Sequence, residues 1–148
     1  MTAKSPFSKK LIHLGVVVRD IDKAVKRLES LGIGPFRDEP PPPLMGKMLF
    51  RGKPYDPNIK VFKAKIGDIE LELFENVEGE SPWGEFLDSK GEGIHHIAFA
   101  ADDIDNEVAS LTEQGASILH SVRSKGGGGS DYLDLGVGGL IIELEKRE

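Results

Sequence analysis

The sequence of 148 residues contains no cysteine. Disulfide bridges, zinc–thiolate sites and cysteine nucleophiles are therefore excluded, and any bound metal ion must rely on nitrogen and oxygen ligands. The sequence also lacks an uninterrupted apolar run of the roughly 20 residues that a membrane-spanning helix needs. The first ten residues, MTAKSPFSKK, precede only a short apolar run, which does not fit a signal peptide. We expect a cytoplasmic protein that does not contact membranes.

Basic residues are outnumbered. Lysine and arginine total 19 against 25 aspartates and glutamates, which gives a formal net charge of -6 and a pI near 5.3. An acidic surface does not attract nucleic acid or anionic membranes, so neither is expected as a partner. Because 39% of the residues are hydrophobic, the chain can bury a real core, and its length suits one domain, residues 1–148.

A duplicated segment dominates the rest of the pattern. His13 to Gly32 aligns with His96 to Gly115 at a constant shift of 83 residues, and seven of the twenty positions are identical. In each copy a short β-rich run leads into an aspartate, then into apolar residues at helical spacing, and finally into a glycine. Each copy therefore predicts a strand followed by a capped amphipathic helix.

Further strand-like segments follow each helix, so each half predicts a βαβββ module. These segments are 47–50, 59–66 and 69–74 in the first half, and 117–120, 131–135 and 140–144 in the second. The modules cover about 10–76 and 93–146, and the linker at 77–92 contains a capped helical turn. We expect an α+β fold in which two tandem βαβββ modules form a curved mixed-sheet trough with helices on the outer face.

Two segments interrupt these modules. Pro40 to Pro43 lie in a segment that must be a loop or rim, since proline cannot continue a helix and cannot donate a hydrogen bond in a central strand. The glycine run Gly126 to Gly129 is either a lid over a site or, as is more common for such runs, a flexible hairpin.

Strand alternation places four polar side chains opposite the helices. Side chains alternate between faces with a period of two, so the purely apolar set of each strand should pack against the helix. The other face then carries His13 and Glu72 in the first half, and His96 and Glu143 in the second. If an approximate twofold axis relates the halves, these imidazoles and carboxylates would converge on one divalent ion such as Ni, Co, Mn, Fe or Zn.

The repeat distinguishes these four residues from ordinary strand residues. A single strand histidine or glutamate is usually structural or solvated, but core packing does not require all four to occupy repeat-equivalent places. His95 lies one residue earlier in the strand register than His96, so it should face the wrong side. His120 has Arg37 as its repeat equivalent, and we interpret it as structural or peripheral.

The sequence resembles the vicinal oxygen chelate superfamily, which includes glyoxalase I, methylmalonyl-CoA epimerase, extradiol dioxygenases and bleomycin-resistance proteins. The resemblance rests on HLGVVVRDID, IELELFENVEGESP, FLDSKGEGIHHIAFAADDID and GGLIIELE, and it covers about residues 10–146. These motifs are most similar to those of methylmalonyl-CoA epimerase and neighbouring glyoxalase-like proteins. By the family's pattern the metal ligands are His13, Glu72, His96 and Glu143, the set already reached from strand register.

The resemblance implies a metal-dependent epimerase or isomerase that removes a proton next to a carbonyl, through an enediolate that the metal stabilises. Its substrate would be a small carbonyl compound or thioester. Glu143 is the first candidate for the catalytic acid/base and Glu72 the second, because a metal-bound carboxylate can dissociate and reach the substrate. Two bases on opposite faces of the intermediate would give epimerisation, and one shuttling base would give isomerisation.

Proteins of this family are often dimers, so a homodimer is expected. The trough forms either within one chain or across two.

One departure from the epimerase pattern leaves the substrate open. Similar epimerases carry a further glutamate before the third strand, whereas no glutamate occurs here between Glu39 and Glu70. The segment instead offers basic and aromatic side chains, which either hold a phosphate or carboxylate of the substrate or form a solvated strand edge. These side chains are Arg51, Lys53, Lys60, Lys63, Lys65, Phe50, Tyr55 and Phe62.

Three other functions fit parts of the pattern. A glyoxalase I-like lactoylglutathione lyase would use the same four ligands. A noncatalytic small-molecule-binding protein of the resistance type would need no metal, and the intact ligand set argues against it. An extradiol dioxygenase would use two histidines and one carboxylate, so Glu72 as a fourth ligand argues against that activity.

Overall fold

The computed structural model describes residues 10–148 and shows an α+β fold whose strands pair in both parallel and antiparallel directions. Within those residues the helices are α1 (Ile21–Ser30), α2 (Pro82–Lys90) and α3 (Ile104–Glu113). The strands are β1 (Leu11–Val17), β2 (Arg37–Asp38), β3 (Met48–Phe50), β4 (Lys53–Tyr55), β5 (Asn58–Ile66), β6 (Ile69–Glu78), β7 (Gly93–Ala100), β8 (Ser117–Arg123), β9 (Gly129–Asp134) and β10 (Ile141–Lys146). In this part of the chain no helix has the length and apolar character needed to cross a bilayer.

The described chain divides into two compact units. The first unit contains Ile12–Pro41 and Pro57–His95, and its strand order is β2-β5-β6-β1. The second unit contains Pro42–Asp56 and His96–Glu148, and its strand order is β7-β10-β9-β8-β3-β4. The predicted module boundaries at about 10–76 and 93–146 stay a prediction.

In the first unit, helix α1 covers one face of the sheet. The Glu75 carboxylate accepts a hydrogen bond from the Ile21 N–H, and the Lys60 ammonium lies 3.8 Å from the Asp22 carboxylate. Glu75 and Lys60 are directly paired across β6 and β5, so they share this face. Because strand side chains alternate, Glu72 must point to the opposite face, as the sequence predicts.

The predicted helix ends are confirmed. Asp20 caps α1 by accepting from the Lys23 N–H, and Asp103 caps α3 by accepting from the Asn106 N–H. Each side chain binds an N–H that the first helical turn leaves without an intrahelical partner. Gly32 follows α1 at φ +91°, a conformation that glycine adopts without steric cost, so it ends the helix.

The linker helix is also confirmed. Ser81 caps α2 through the Gly84 N–H, and Gly91 follows the helix at φ +81°. Trp83 is buried in the first turn of α2, and its ring stacks on Phe74 of β6 at 5.5 Å between centroids. The linker is therefore attached to the first unit by aromatic packing.

In the second unit, helix α3 and the sheet enclose the main apolar core. Leu133, Ile142 and Leu144 are almost completely buried against the helix, and Phe99 packs at the edge of the cluster. The helix contributes Ile104, Val108 and Leu111 to this cluster. Burying side chains of this size contributes roughly 1.5–3 kcal/mol each to folding. Because Ile142 and Leu144 face α3, Glu143 points to the other face of the sheet.

One strand assignment in the first module is wrong. Residues 47–50 were expected to be its second strand, but Met48–Phe50 pairs with β8 and with β4, inside the second unit. The place beside β5 is taken by the two-residue strand Arg37–Asp38. The reason is the run from Pro40 to Pro43, which has no N–H groups to continue a ladder along β5, so the chain leaves that sheet edge.

The Gly126–Gly129 run forms the turn of the β8–β9 hairpin. Ser124 closes this turn twice, because its N–H donates to the Gly128 carbonyl and its hydroxyl accepts from the Gly128 N–H, both at 3.0 Å. A Cβ atom on Gly128 would lie 2.8 Å from the Lys146 carbonyl oxygen. The run therefore lies in a hairpin, and glycine is needed at position 128 for close backbone approach.

Candidate metal centre

The first unit brings His13 and Glu72 together. Parallel pairing of β1 with β6 places Gly15 opposite Glu72, so His13, two residues earlier, lies on the same face. Its Nδ1 atom is 2.7 Å from Glu72 Oε2, and the two residues are 1% and 5% exposed. The register predicted from alternation thus yields a buried imidazole–carboxylate pair.

The carboxylate of Glu72 also has a cationic neighbour. Lys63 is paired with Glu72 across β5 and β6, and its ammonium lies 3.6 Å from Glu72 Oε2. The same ammonium is 3.0 Å from Glu39 Oε2. Its side chain is only 14% exposed, so this cation belongs to the buried surroundings of the pair.

The second unit repeats the arrangement with His96 and Glu143. Parallel pairing of β7 with β10 places Ala98 opposite Glu143, which puts His96 on the Glu143 face. His96 Nε2 is 3.0 Å from Glu143 Oε1, and the residues are 1% and 5% exposed. Ser130 on the neighbouring strand β9 donates a hydrogen bond from its hydroxyl to Glu143 Oε2 at 2.8 Å.

These donor atoms are of the kind that divalent metal ions bind. A neutral imidazole and an ionised carboxylate each offer a lone pair, and both are the protonation states that metal binding requires. Nitrogen and oxygen donors together suit Zn, Fe, Co, Ni and Mn and do not select among them. Burial of both pairs adds a shell that excludes water, which strengthens electrostatic interactions with an ion. The residues present therefore fit a divalent metal.

His95 faces away from the predicted ligands, as the sequence predicts. His95 precedes His96 on β7, so it points to the opposite face. Its ring packs edge-on against Phe86 of α2 at 5.1 Å between centroids. His95 therefore has a packing role.

His120 was interpreted as structural or peripheral, and the structure places it on the Glu143 face of the second unit. Antiparallel pairing sets Tyr132 opposite Glu143 and His120 opposite Tyr132. The Tyr132 ring lies 4.5 Å from the His96 ring and 4.8 Å from the His120 ring, between centroids. The Tyr132 ring thus lies between the predicted ligand His96 and another buried histidine, His120.

His120 is held by a tyrosine of the β3–β4 hairpin. The Tyr55 hydroxyl oxygen lies 2.6 Å from His120 Nδ1. Burial lowers the pKa of His120 to about 4, because the low-dielectric interior disfavours the imidazolium. The charge of Glu143 opposes this shift, and the charge of His96 adds to it. Burial also raises the pKa of Tyr55. Both groups are therefore neutral near pH 7.

Of the basic residues that the sequence singles out, one lies beside a predicted ligand. Lys63 contacts Glu72, as described above. Lys60 points to the α1 face, where it lies near Asp22. Arg51 and Lys53 are exposed on the β3–β4 hairpin, in the second unit. In the first unit, Lys63 thus has the most direct relation to a predicted ligand.

Sequence reasoning missed Ser130, Tyr132 and the orientation of His120. Ser130 and Tyr132 alternate along β9, so their common face was readable, but not the strand against which that face lies. For His120 the obstacle is a register shift between Ile118 and His120. Regular pairing would have placed His120 opposite Asp131, on the α3 face, and the extra residue turns it to the Tyr132 face.

Comparisons with known proteins identify the family of this chain. A family model described as the glyoxalase/bleomycin resistance protein/dioxygenase superfamily matches residues 12–133. Over 90 residues the chain is 30% identical to the uncharacterized protein YqjC of Bacillus subtilis, a match that covers 59% of this chain and 63% of that protein. The chain thus spans less than two thirds of that relative. It is also 28% identical over 142 residues to the mitochondrial methylmalonyl-CoA epimerase of Bos taurus, covering 93% of this chain and 74% of that protein.

A solved structure shares the fold. The crystal structure of methylmalonyl-CoA epimerase from Mycobacterium tuberculosis superposes with a TM-score of 0.72, covering 100% of this chain and 93% of that chain at 23% identity. At this identity the likeness concerns the fold alone.

Proposed function

Because this chain belongs to the glyoxalase/bleomycin resistance protein/dioxygenase superfamily, we propose that it is a divalent-metal-dependent epimerase or isomerase that moves a proton next to a carbonyl group, as in methylmalonyl-CoA epimerase. The observation that carries the proposal is the duplicated buried imidazole–carboxylate contact, His13 with Glu72 and His96 with Glu143. The 28% sequence identity to a methylmalonyl-CoA epimerase, over 93% of the chain, supports this chemistry over the other activities of the superfamily.

In this proposal all four residues hold one ion, and each half supplies one imidazole and one carboxylate. The support is the sequence repeat, which gives both pairs equivalent positions, together with their matching contacts and burial. Once bound, the ion would polarise the substrate carbonyl and stabilise the negative charge that develops on its oxygen.

Glu143 is the proposed proton carrier. A carboxylate within reach of an acidic C–H group can accept the proton and return it. The Ser130 hydroxyl donates to Glu143 Oε2, and Glu143 Oε1 contacts His96. When the carboxylate gives up its contact with His96 and takes up a proton, the bond to Ser130 keeps it in position. Glu72 is the second candidate, and it would act from the other half. Use of both carboxylates would give epimerisation, and use of Glu143 alone would give isomerisation.

The proposed substrate is a small carbonyl compound, and an acyl-CoA thioester with an acidic α-hydrogen is the first class to test. A thioester carbonyl acidifies the neighbouring C–H, so that a carboxylate is a sufficient base once the carbonyl oxygen is polarised. We further propose that the protein acts as a homodimer, which sedimentation velocity would establish.

Exchange of an α-deuteron tests the reaction. The protein loaded with each divalent metal is incubated with deuterated acyl-CoA thioesters, hemithioacetals and α-hydroxy ketones, and loss of deuterium to water is followed by mass spectrometry. We expect metal-dependent exchange in the thioester class. Exchange confined to hemithioacetals would favour the lyase alternative, and a metal-loaded protein without exchange in any class would contradict catalysis.

Replacing Glu143 tests the role of the proton carrier. Glu143→Gln keeps the size of the side chain and removes the base, so we expect exchange to fall by roughly 10²–10⁴-fold. Glu113→Gln, at an exposed position near the end of α3, makes the same chemical change far from either pair and should leave the rate unchanged. Equal rates in the two variants would remove Glu143 from the mechanism.

Metal stoichiometry tests the shared ion. Dialysis against a divalent metal followed by elemental analysis should give about one ion per chain, and either His13→Ala or His96→Ala should lose it. Two ions per chain, with each variant losing a different one, would show that the pairs bind separately. This measurement needs no substrate, so it stands apart from the exchange assay.

A further inference from the structure

The Tyr55–His120 hydrogen bond lies outside the predicted ligand set. Tyr55 ends β4, His120 lies in β8, and β3 runs between these strands. The donor and acceptor are 2.6 Å apart, a short contact for a hydrogen bond to a ring nitrogen. His120 is 3% exposed, and Tyr55 is partly buried. A polar pair at this depth needs a reason, because an apolar pair of similar shape would cost less to bury.

The register of the second unit places this pair in line with Glu143. Directly paired residues share one face of a sheet, and successive pairings run from Glu143 to Tyr132, from Tyr132 to His120, and from His120 to Phe50. Tyr55 is two residues from the partner of Phe50, so it also lies on this face. The row from Glu143 to Tyr55 therefore forms one continuous surface, opposite helix α3.

The protonation state of the pair limits its donors. Since burial lowers the pKa of His120 to about 4 and raises the pKa of Tyr55, both groups are neutral near pH 7. Two neutral arrangements fit the 2.6 Å contact: the Tyr55 hydroxyl donates to His120 Nδ1, or Nδ1–H donates to the tyrosine oxygen. In the first arrangement the single proton of the imidazole is on Nε2.

The orientation of the imidazole is restrained from two sides. Tyr55 holds Nδ1, and the Tyr132 ring packs on the imidazole at 4.8 Å with an interplanar angle of 41°. The two nitrogens of an imidazole lie on opposite edges of the ring. Because Nδ1 points toward the hairpin, Nε2 is on the edge away from it.

We propose that Tyr55 is a positioning residue that fixes the tautomer of His120, and that His120 Nε2–H donates a hydrogen bond to a substrate oxygen beside Glu143. The oxygen is that of a carbonyl or carboxylate group, since the donor is neutral and needs an acceptor. The substrate part of this inference rests on the proposed function. The tautomer part does not, because it concerns only the protein.

Tautomer spectroscopy tests the positioning role without any substrate. Two-bond ¹H–¹⁵N correlation spectra of ¹⁵N-histidine-labelled protein at pH 7 should show His120 in the Nε2–H form. In Tyr55→Phe we expect a mixture of both tautomers or the opposite one. Tyr132→Phe keeps the packed ring and removes a different hydroxyl, so its His120 spectrum should match that of the unchanged protein. An Nδ1–H form in the unchanged protein, or no effect of Tyr55→Phe, would overturn the proposal.

Two substitutions of His120 test the donor role in the exchange assay. His120→Leu removes both nitrogens, and we expect kcat/KM to fall by roughly 10²-fold, as for loss of one preorganised donor. His120→Gln places an amide N–H near the Nε2 position and should recover most of that loss. Both variants should keep the metal content of the unchanged protein. Exchange by His120→Leu at the unchanged rate would reduce the pair to packing and overturn the donor role.

A double variant separates positioning from a general effect on folding. Tyr55→Phe should slow exchange several-fold, yet Tyr55→Phe combined with His120→Leu should be no slower than His120→Leu alone, because Tyr55 acts through His120. Additive losses would refute that dependence. If the unchanged protein shows no exchange, the proposed function fails and the donor role with it, while the tautomer spectra still decide the role of Tyr55. Should His120→Leu fail to fold, His120→Gln and Tyr55→Phe carry the same comparison.

Discussion

Acidification should destabilise the protein through His120. The pKa of this buried histidine is about 4 in the native state, against 6.5 for the ordinary side chain. Above pH 6.5 the imidazole is neutral in both the folded and the unfolded chain and has no pH-dependent effect. Between pH 6.5 and pH 4 the unfolded chain binds a proton that the native protein does not, so stability falls as the pH falls. Below pH 4 both states carry the proton and the loss is complete.

The size of this loss follows from the shift. Each pH unit in the interval costs about 1.4 kcal/mol of unfolding free energy for one group. From pH 6.5 to pH 5 the protein should lose about 2 kcal/mol, and by pH 4 about 3 kcal/mol, through His120 alone. A small domain has a total stability of about 5–15 kcal/mol, so the effect is well within measurement.

Urea denaturation at pH 7.5, 6.5, 5.5 and 4.5 measures the effect, with His120→Gln as the reference protein. Glutamine does not titrate, so the difference between the two unfolding free energies isolates His120 while the remaining histidines and carboxylates cancel. A chelator is present throughout, since a bound ion would add its own pH-dependent stabilisation. The difference should be constant above pH 6.5 and should shrink by about 1.4 kcal/mol per pH unit below it.

Parallel pH profiles for the two proteins would refute this reasoning. They would mean that His120 binds its proton as readily in the folded protein as in the unfolded chain, which is incompatible with an imidazole that burial keeps neutral. A difference that grows on acidification would have the opposite meaning, namely that the native fold favours the imidazolium.

Substitutions at two further positions test the second unit. Arg123 donates to the buried Asp131 carboxylate at 2.7 Å, and burial raises the pKa of Asp131 in spite of that bond. Arg123→Met would leave this buried carboxylate without its cation. We expect it to lower the free energy of unfolding at pH 7 by about 3 kcal/mol, measured by urea denaturation. Stability unchanged within 0.5 kcal/mol would show that Asp131 is not held as a buried charge. Asp103→Ala removes the N-cap of α3 and should cost about 1 kcal/mol in the same assay, whereas Asp103→Asn should retain most of the cap.

The faces of the four predicted ligands were predictable because side-chain alternation along a strand is a local property. Alternation along one strand decides which face His96 or Glu143 occupies, and the apolar partners Ile142 and Leu144 identify the helix side. The helix caps were predictable for the same reason, since Asp20 binds an N–H only three residues away. Interactions that span a few residues leave their pattern in the sequence itself.

The row from Tyr132 to Tyr55 was not predictable because it depends on pairing between distant strands. The β3–β4 hairpin could have joined either sheet edge, and proline-rich residues 40–43 direct it to β8. The register shift near Leu119 then decides the face of His120. The Leu119 carbonyl, displaced from regular pairing, accepts the Arg51 N–H at 2.9 Å, so the irregularity is stabilised by a hairpin far away in sequence.

The two halves share their imidazole–carboxylate contacts but differ in what faces each carboxylate. Lys63 is paired with Glu72, whereas Tyr132 is paired with Glu143 and Ser130 donates to it. An ammonium group can only donate hydrogen bonds, so Lys63 can bind Glu72 only through an oxygen that carries no proton. A serine hydroxyl can rotate and accept from a protonated carboxyl group, so Glu143 can take up a proton and keep its hydrogen bond. The repeat therefore supports the proposed ligand set, and the Ser130 hydroxyl, which has no counterpart beside Glu72, supports Glu143 as the proposed proton carrier.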